Sequence, residues 1–101
     1  MSETSNVVTP AIKAINQLPE TYAIRANVMT RNYRKSLPNG TPDIIGVRKG
    51  RFFGIECKSS EREKLNAAQK EMKIRLCLAG AVVFRADTQE QAYNKLLELI
   101  P

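Results

Sequence analysis

The stretch Pro42-Asp43-Ile44-Ile45-Gly46-Val47-Arg48-Lys49-Gly50-Arg51-Phe52-Phe53-Gly54-Ile55-Glu56-Cys57-Lys58 sets two short apolar runs on either side of a basic Lys49-Gly50 pair. Such runs around a two-residue loop ending in glycine predict a β-hairpin. With Lys49-Gly50 as the loop, Arg48 opposes Arg51, Val47 opposes Phe52, Ile45 opposes Gly54 and Asp43 opposes Glu56. Directly opposed residues of an antiparallel pair project to one face, with Cβ atoms roughly 4.5–5.5 Å apart. This turn therefore sets two carboxylates side by side. Period-2 alternation adds Lys58 to their face and turns Ile55 and Cys57 away from it.

Adjacent carboxylates repel unless one is protonated or a cation lies between them. Mg²⁺ suits such a pair: it is a hard ion that takes one or two protein carboxylates and keeps waters that substrate phosphate can replace. A lysine beside it can orient or deprotonate an attacking water. Gly54, on the same face, is expected to leave room for close approach of a metal or phosphate. A carboxylate-x-lysine pattern on a strand is more often a solvated surface pair, so the spacing alone leaves both readings open.

Pro42-Asp43 followed by Glu56-Cys57-Lys58 resembles the PD-(D/E)xK nuclease signature. The longer ordered set resembles the VRR-NUC branch of that superfamily: Gly40-Thr41-Pro42-Asp43-Ile44-Ile45-Gly46, Gly50 to Lys58, Gln69, then Ala79-Gly80-Ala81-Val82-Val83. The resemblance spans roughly residues 22–90 and is weaker before that. It implies a metal-dependent DNA endonuclease of restriction-endonuclease-like fold. Asp43, Glu56 and the main-chain carbonyl of Cys57 would be metal ligands, Lys58 would position or activate water, and Gln69 would be an auxiliary active-site residue. Mg²⁺ would be the cofactor, with Mn²⁺ as a substitute. Stand-alone proteins of this type, often viral, tend to be homodimers that cut branched DNA such as four-way junctions. The chain departs from the family pattern in one place. Ser5 stands where a glutamate on the first helix is expected, and Glu3 is the nearest acid. Either Glu3 serves through a shifted helix start or the site works with fewer acids.

The 101 residues make one domain, 1–101, with a modest core and little area for a broad cleft, which a second subunit would enlarge. Sixteen Lys and Arg against ten Asp and Glu give a net charge of +6. With a pI near 9.6, that balance favours a polyanionic partner. Arg25, Arg31, Arg34, Lys35, Arg48, Lys49 and Arg51 gather around the carboxylate face or the hairpin tip and are the candidate DNA contacts. Contacts of this type go mainly to phosphates, and no base-reading motif is visible. The loop from Arg31 to Lys35 is the strongest group, because it leads into Pro42-Asp43. Tyr33 within it can stack on a base or simply pack. The absence of histidine excludes histidine acid–base chemistry and histidine-ligated zinc. Cys57 and Cys77 are too few for a zinc site and read as buried, reduced thiols of a cytoplasmic protein, in the host cytoplasm if the chain is viral. No apolar run reaches the ~20 residues of a membrane span.

Along the chain, Thr9 and Pro10 suggest a helix start, with an earlier start as the alternative, and Pro19 ends that helix. Val7, Val8, Ala11, Ile12, Ile15 and Leu18 share one helical face. Tyr22, Ile24, Ala26 and Val28 alternate with a polar side carrying Arg25 and Asn27. Asn66-Ala67-Ala68-Gln69 has the form of a capping box, a structural role for Gln69 that competes or coexists with a catalytic one. Leu65, Ala68, Met72, Leu76 and Ala79 form the expected buried stripe of the next helix, which Gly80 ends. Residues 81–84 read as an interior strand. Thr88 caps a last helix, Gln89–Ile100, with Ala92, Leu96, Leu99 and Ile100 inward. The predicted fold is α/β, a central mixed sheet flanked by helices in the order α-β-β-β-α-β-α. A basic nucleic-acid-binding module that keeps this fold without catalysis is the competing reading of function. A third is a subunit whose basic surface docks on an acidic protein.

Overall fold

The computed structural model describes residues 3–26, 37–58 and 65–101, apart from the side chains of residues 3–5. It contains α1 (Glu3–Ile15), β1 (Thr21–Arg25), β2 (Ile44–Arg48), β3 (Arg51–Cys57), α2 (Ala67–Leu78), β4 (Val82–Ala86) and α3 (Gln89–Leu99). The element order is the predicted one. The strands form one mixed sheet in the order β1-β2-β3-β4. The first three are antiparallel, and β4 lies parallel to β3 after the α2 crossover. No helix among the described residues is long and apolar enough to cross a membrane.

The hairpin register is the one read from the Lys49-Gly50 loop, with Arg48 opposite Arg51, Val47 opposite Phe52 and Ile45 opposite Gly54. Both loop residues have positive φ, 50° at Lys49 and 82° at Gly50. That is the type I′ pattern, whose twist matches the flanking strands.

Alternation divides the sheet into two unlike faces. Ala23, Ile44, Phe53, Ile55, Cys57, Phe84 and Ala86 point to one side. There they join Val7, Val8, Ala11 and Ile15 of α1 and Ala92, Leu96 and Ile100 at α3 in a single core. The opposite face carries Glu56, and α2 packs against its β3–β4 end only. The core side is tight at its centre: a Cβ on Gly46 would lie 2.6 Å from Cζ of Phe53 and 2.4 Å from the Tyr22 carbonyl oxygen.

That tight packing reverses the expectation for β1. Ala23 and Arg25, on the side read as polar, face α1. Tyr22 and Ile24, on the side read as apolar, are exposed, Tyr22 to 69%. The Phe53 ring reaches over Gly46, and the small Ala23 paired with Gly46 is the buried residue of this strand. The first helix also starts earlier than Thr9-Pro10 suggests and contains Pro10 in its interior. The gain is burial of Val7 and Val8, which a helix beginning at Pro10 would leave outside. Such burial of an aliphatic side chain is worth roughly 1.5–3 kcal/mol, enough to offset a lost helical hydrogen bond.

Three further expectations are corrected. The stripe of α2 is only half-buried, and that helix has no fully buried residue. Cys77 is exposed, whereas Cys57 is buried, and both are free thiols. Leu99 is exposed, and Ile100 alone closes that end of the core.

Candidate active site

Asp43 sits one residue before β2, held by its own backbone and side chain. Its carbonyl accepts from the Ala26 amide at 2.9 Å. Its Oδ2 accepts from the Cys57 amide at 2.9 Å. The second bond crosses the hairpin and fixes the Asp43 carboxylate beside Glu56. The segment before it is clamped as well. A Cβ on Gly40, whose φ is 91°, would lie 2.3 Å from the Ala68 carbonyl oxygen, so this loop lies directly against the start of α2. Pro42 is fully buried, and its Cγ occupies the position 2.7 Å from where a Gly54 side chain would begin. Gly54 was expected to make room for a metal or phosphate. It instead admits the Pro42 ring, which places Asp43.

Glu56 is 1% exposed, buried between the sheet and α2. Burial first, and the neighbouring Asp43 second, push its carboxyl up to about 7, against the pull of Lys58 and Lys73. Burial likewise raises Asp43, opposed by the Cys57 amide and by Lys58 and Arg25. Lys58 thus acts on both carboxylates. Its amide bonds to the Ala86 carbonyl at 3.0 Å, which carries the strand geometry one residue past β3 and keeps Lys58 on the Glu56 face.

Gln69 both caps α2 and reaches Glu56. Its Oε1 accepts from the Asn66 amide at 2.9 Å, and its own amide donates to Asn66 Oδ1 at 2.9 Å, a complete capping box. Its Nε2 then donates to Glu56 Oε1 at 3.2 Å. The cap holds the side-chain oxygen, so the amide nitrogen is turned towards the site. Glu56 Oε2 is buried with no hydrogen-bond partner. An orphan buried carboxylate oxygen beside a second carboxylate is costly as it stands and is the donor a hard cation requires. The oxygen-donor set of Asp43 and Glu56 therefore fits Mg²⁺ or Mn²⁺. The Cys57 thiol does not contribute: burial, with Asp43 and Glu56, pushes it up to about 12, so it stays neutral in the core. Only the Cys57 carbonyl remains as a donor from that residue. Among the described residues no group of three or more acids, cysteines or histidines is placed to hold a metal. Glu3 and Ser5, the candidates for an acid from α1, have side chains outside the described residues.

The basic residues separate. Arg25 donates to Thr9 Oγ1 at 2.6 Å and lies near Asp43, on the site's flank. Arg48, expected as a DNA contact, is 4% exposed. Its guanidinium donates to the carbonyls of Ile100 and Pro19 and to Thr21 Oγ1, so it ties the residue after α3 and the turn between α1 and β1 to β2 and is not available to DNA. Opposed residues of this hairpin share a face, and at Arg48 that face is the core side. Lys49 and Arg51 are exposed at the hairpin tip, donating to the carbonyls of Pro101 and Gly80. Arg31, Tyr33, Arg34 and Lys35 lie outside the described residues. Two residues were missed from the sequence. Thr9 was read only as a cap, and Lys73 was passed over beside the stripe residue Met72. Its spacing of four from Gln69 was the available signal for a shared helix face.

A mixed four-stranded sheet with helices on both faces is an α/β architecture consistent with a nuclease-like fold. A solved structure described as a VRR_NUC domain matches this chain at a TM-score of 0.72 with 22% sequence identity, over 97% of each chain. The fold is that of a VRR-NUC domain. The sequence matches no protein-family model and no curated protein.

Proposed function

We propose that this protein is a Mg²⁺-dependent DNA endonuclease that hydrolyses phosphodiester bonds, with branched DNA such as four-way junctions as its substrate. The observation that carries this reading is the orphan Oε2 of buried Glu56 beside Asp43, on a face also holding Lys58 and Gln69. Asp43, Glu56 and the Cys57 carbonyl would hold the metal, which when bound supplies Lewis acidity towards water and phosphate. Lys58 orients the attacking water, whose proton passes to solvent, and offsets charge that develops on the phosphate. Gln69 fixes the Glu56 carboxylate through Oε1 and leaves Oε2 for the metal. The buried Cys57 amide holds Asp43 against rotation. Arg25, and the Arg31, Arg34 and Lys35 loop, engage backbone phosphates and select by shape. A homodimer suits a junction of two-fold symmetry, because it presents two such faces. We place its action in the cytoplasm.

A non-catalytic DNA-binding module is favoured by one observation, the lack of a third acid at the site among the described residues. A panel of duplex, flap and four-way-junction DNA incubated with Mg²⁺, Mn²⁺ or EDTA separates the two. Metal-dependent cleavage, strongest on the junction, is the expected result. Tight binding without cutting in either metal would establish the binding module.

A further inference from the structure

Lys73 lies four residues after Gln69 on α2, so the two side chains leave the helix on one face, about one 5.4 Å turn apart. Gln69 reaches Glu56, which places that face over the carboxylates. Lys73 is half-buried. Among the described residues it forms no ion pair; Arg85 and Asp87 form the pair that is present, at 2.8 Å. Its charge nevertheless acts on Glu56 alongside that of Lys58. A half-buried lysine lays its stem along the protein and keeps its ammonium at the surface, where an incoming anion can meet it. Once a divalent cation neutralises Asp43 and Glu56, the two ammonium groups make this end of the sheet net positive. A backbone phosphate of the substrate is an anion that would be attracted to them.

We propose that Lys73 is a substrate-binding residue that contacts the backbone phosphate next to the one cleaved, one helical turn from Gln69. The proposal rests on the nuclease reading of the site. It assigns α2 a double duty: its first turn sets the Glu56 carboxylate, and its second turn grips the strand. Lys70, exposed on the same helix, is the control.

The test compares wild type with K73Q, K73R and K70Q. DNA affinity is read from fluorescence anisotropy against salt concentration, in Ca²⁺, and KM and kcat from cleavage in Mg²⁺. One lost phosphate contact lowers the slope of log K against log salt by about 0.9 on B-DNA. The expected result is that loss in K73Q, with a raised KM and unchanged kcat, as for removal of uniform binding. K73R restores the slope and K70Q leaves it unchanged. An unaltered slope and KM in K73Q, while wild type binds and cuts, overturns the role of Lys73 and leaves the nuclease intact. A fall in kcat at unaltered slope, unrescued by K73R, overturns it in favour of a structural role through Gln69. Equal losses in K70Q and K73Q overturn it in favour of diffuse charge. A wild type that binds without cutting refutes the nuclease reading, and the salt slope still decides whether Lys73 touches DNA.

Discussion

The two carboxylates are destabilising to the fold that holds them. Glu56 rises from 4.5 to about 7, so the folded protein binds its proton more tightly than the unfolded chain does. The stability from that protonated form is fully present below about pH 4.5 and is lost as pH rises through about 7. The difference is on the order of 3 kcal/mol. Metal-free Glu56→Gln should therefore melt above wild type at pH 8, with the gap closing towards pH 4.5. A kcal/mol corresponds to roughly 4–8 °C in a domain of this size, so calorimetric melts in EDTA resolve it. Equal melting temperatures at pH 8 would show that Glu56 carries no strain. The same substitution, like Asp43→Asn, should abolish cleavage while DNA binding stays the same or tightens, because a charge that repels phosphate is gone. Lys58→Ala should lower the rate by about 10²–10⁴-fold, the range for a general acid–base group, with metal affinity intact. A collapse of Mn²⁺ affinity in that variant would contradict its assignment as a water-positioning residue.

At the scale of elements, the capping box of α2 is the link between fold and chemistry. Asn66→Ala removes the acceptor of the Gln69 amide and should destabilise the protein by about 0.5–2 kcal/mol. It should also slow cleavage, because Gln69 is then no longer held towards Glu56. A variant that melts lower yet cuts at the wild-type rate would separate the cap from the site. The hairpin was legible from Lys49-Gly50, because an X-Gly loop fixes the register and the register fixes every face. The pairing of Asp43 with Glu56, Lys58 beside them and the Asn66–Gln69 cap followed from local spacing. What was not legible depends on partners distant in sequence. Nothing near Tyr22 or Ile24 tells that the face of Ala23 is the one that packs with Phe53 and α1. Nothing near Arg48 tells that the Ile100 carbonyl comes to meet it. Pro10 reads as a helix start until Val7 and Val8 find their core. Gly54 reads as an open space until Pro42 occupies it.

For the whole molecule, the core gathers on one face of the sheet, and the other face combines the site with exposed apolar side chains, Tyr22, Ile24 and Val47. The family resemblance and the small core lead to the expectation of a homodimer, to which apolar residues of α1 and α3 would lend surface. Val7, Val8, Ala11, Ala92 and Leu96 are instead buried within one subunit. Sedimentation at micromolar concentration should give a dimer, and a strict monomer that still makes paired symmetric nicks would contradict it. Neutralising Arg31, Arg34 and Lys35 together should weaken binding to all DNA sequences alike and lower the salt slope by about 2–3. An unchanged slope would place DNA away from that loop.

The proposed metal site of Asp43 and Glu56 takes up a divalent cation by displacing a proton. Calorimetric titration of Mn²⁺ into wild type and Glu56→Gln at pH 6 and pH 8 tests it most directly. Ligands must be deprotonated to bind. Wild-type affinity should be clearly higher at pH 8, with protons released at pH 6, and Glu56→Gln should lose both the affinity and its pH dependence. Equal Mn²⁺ affinity in the two proteins, or no affinity in either, would contradict the account.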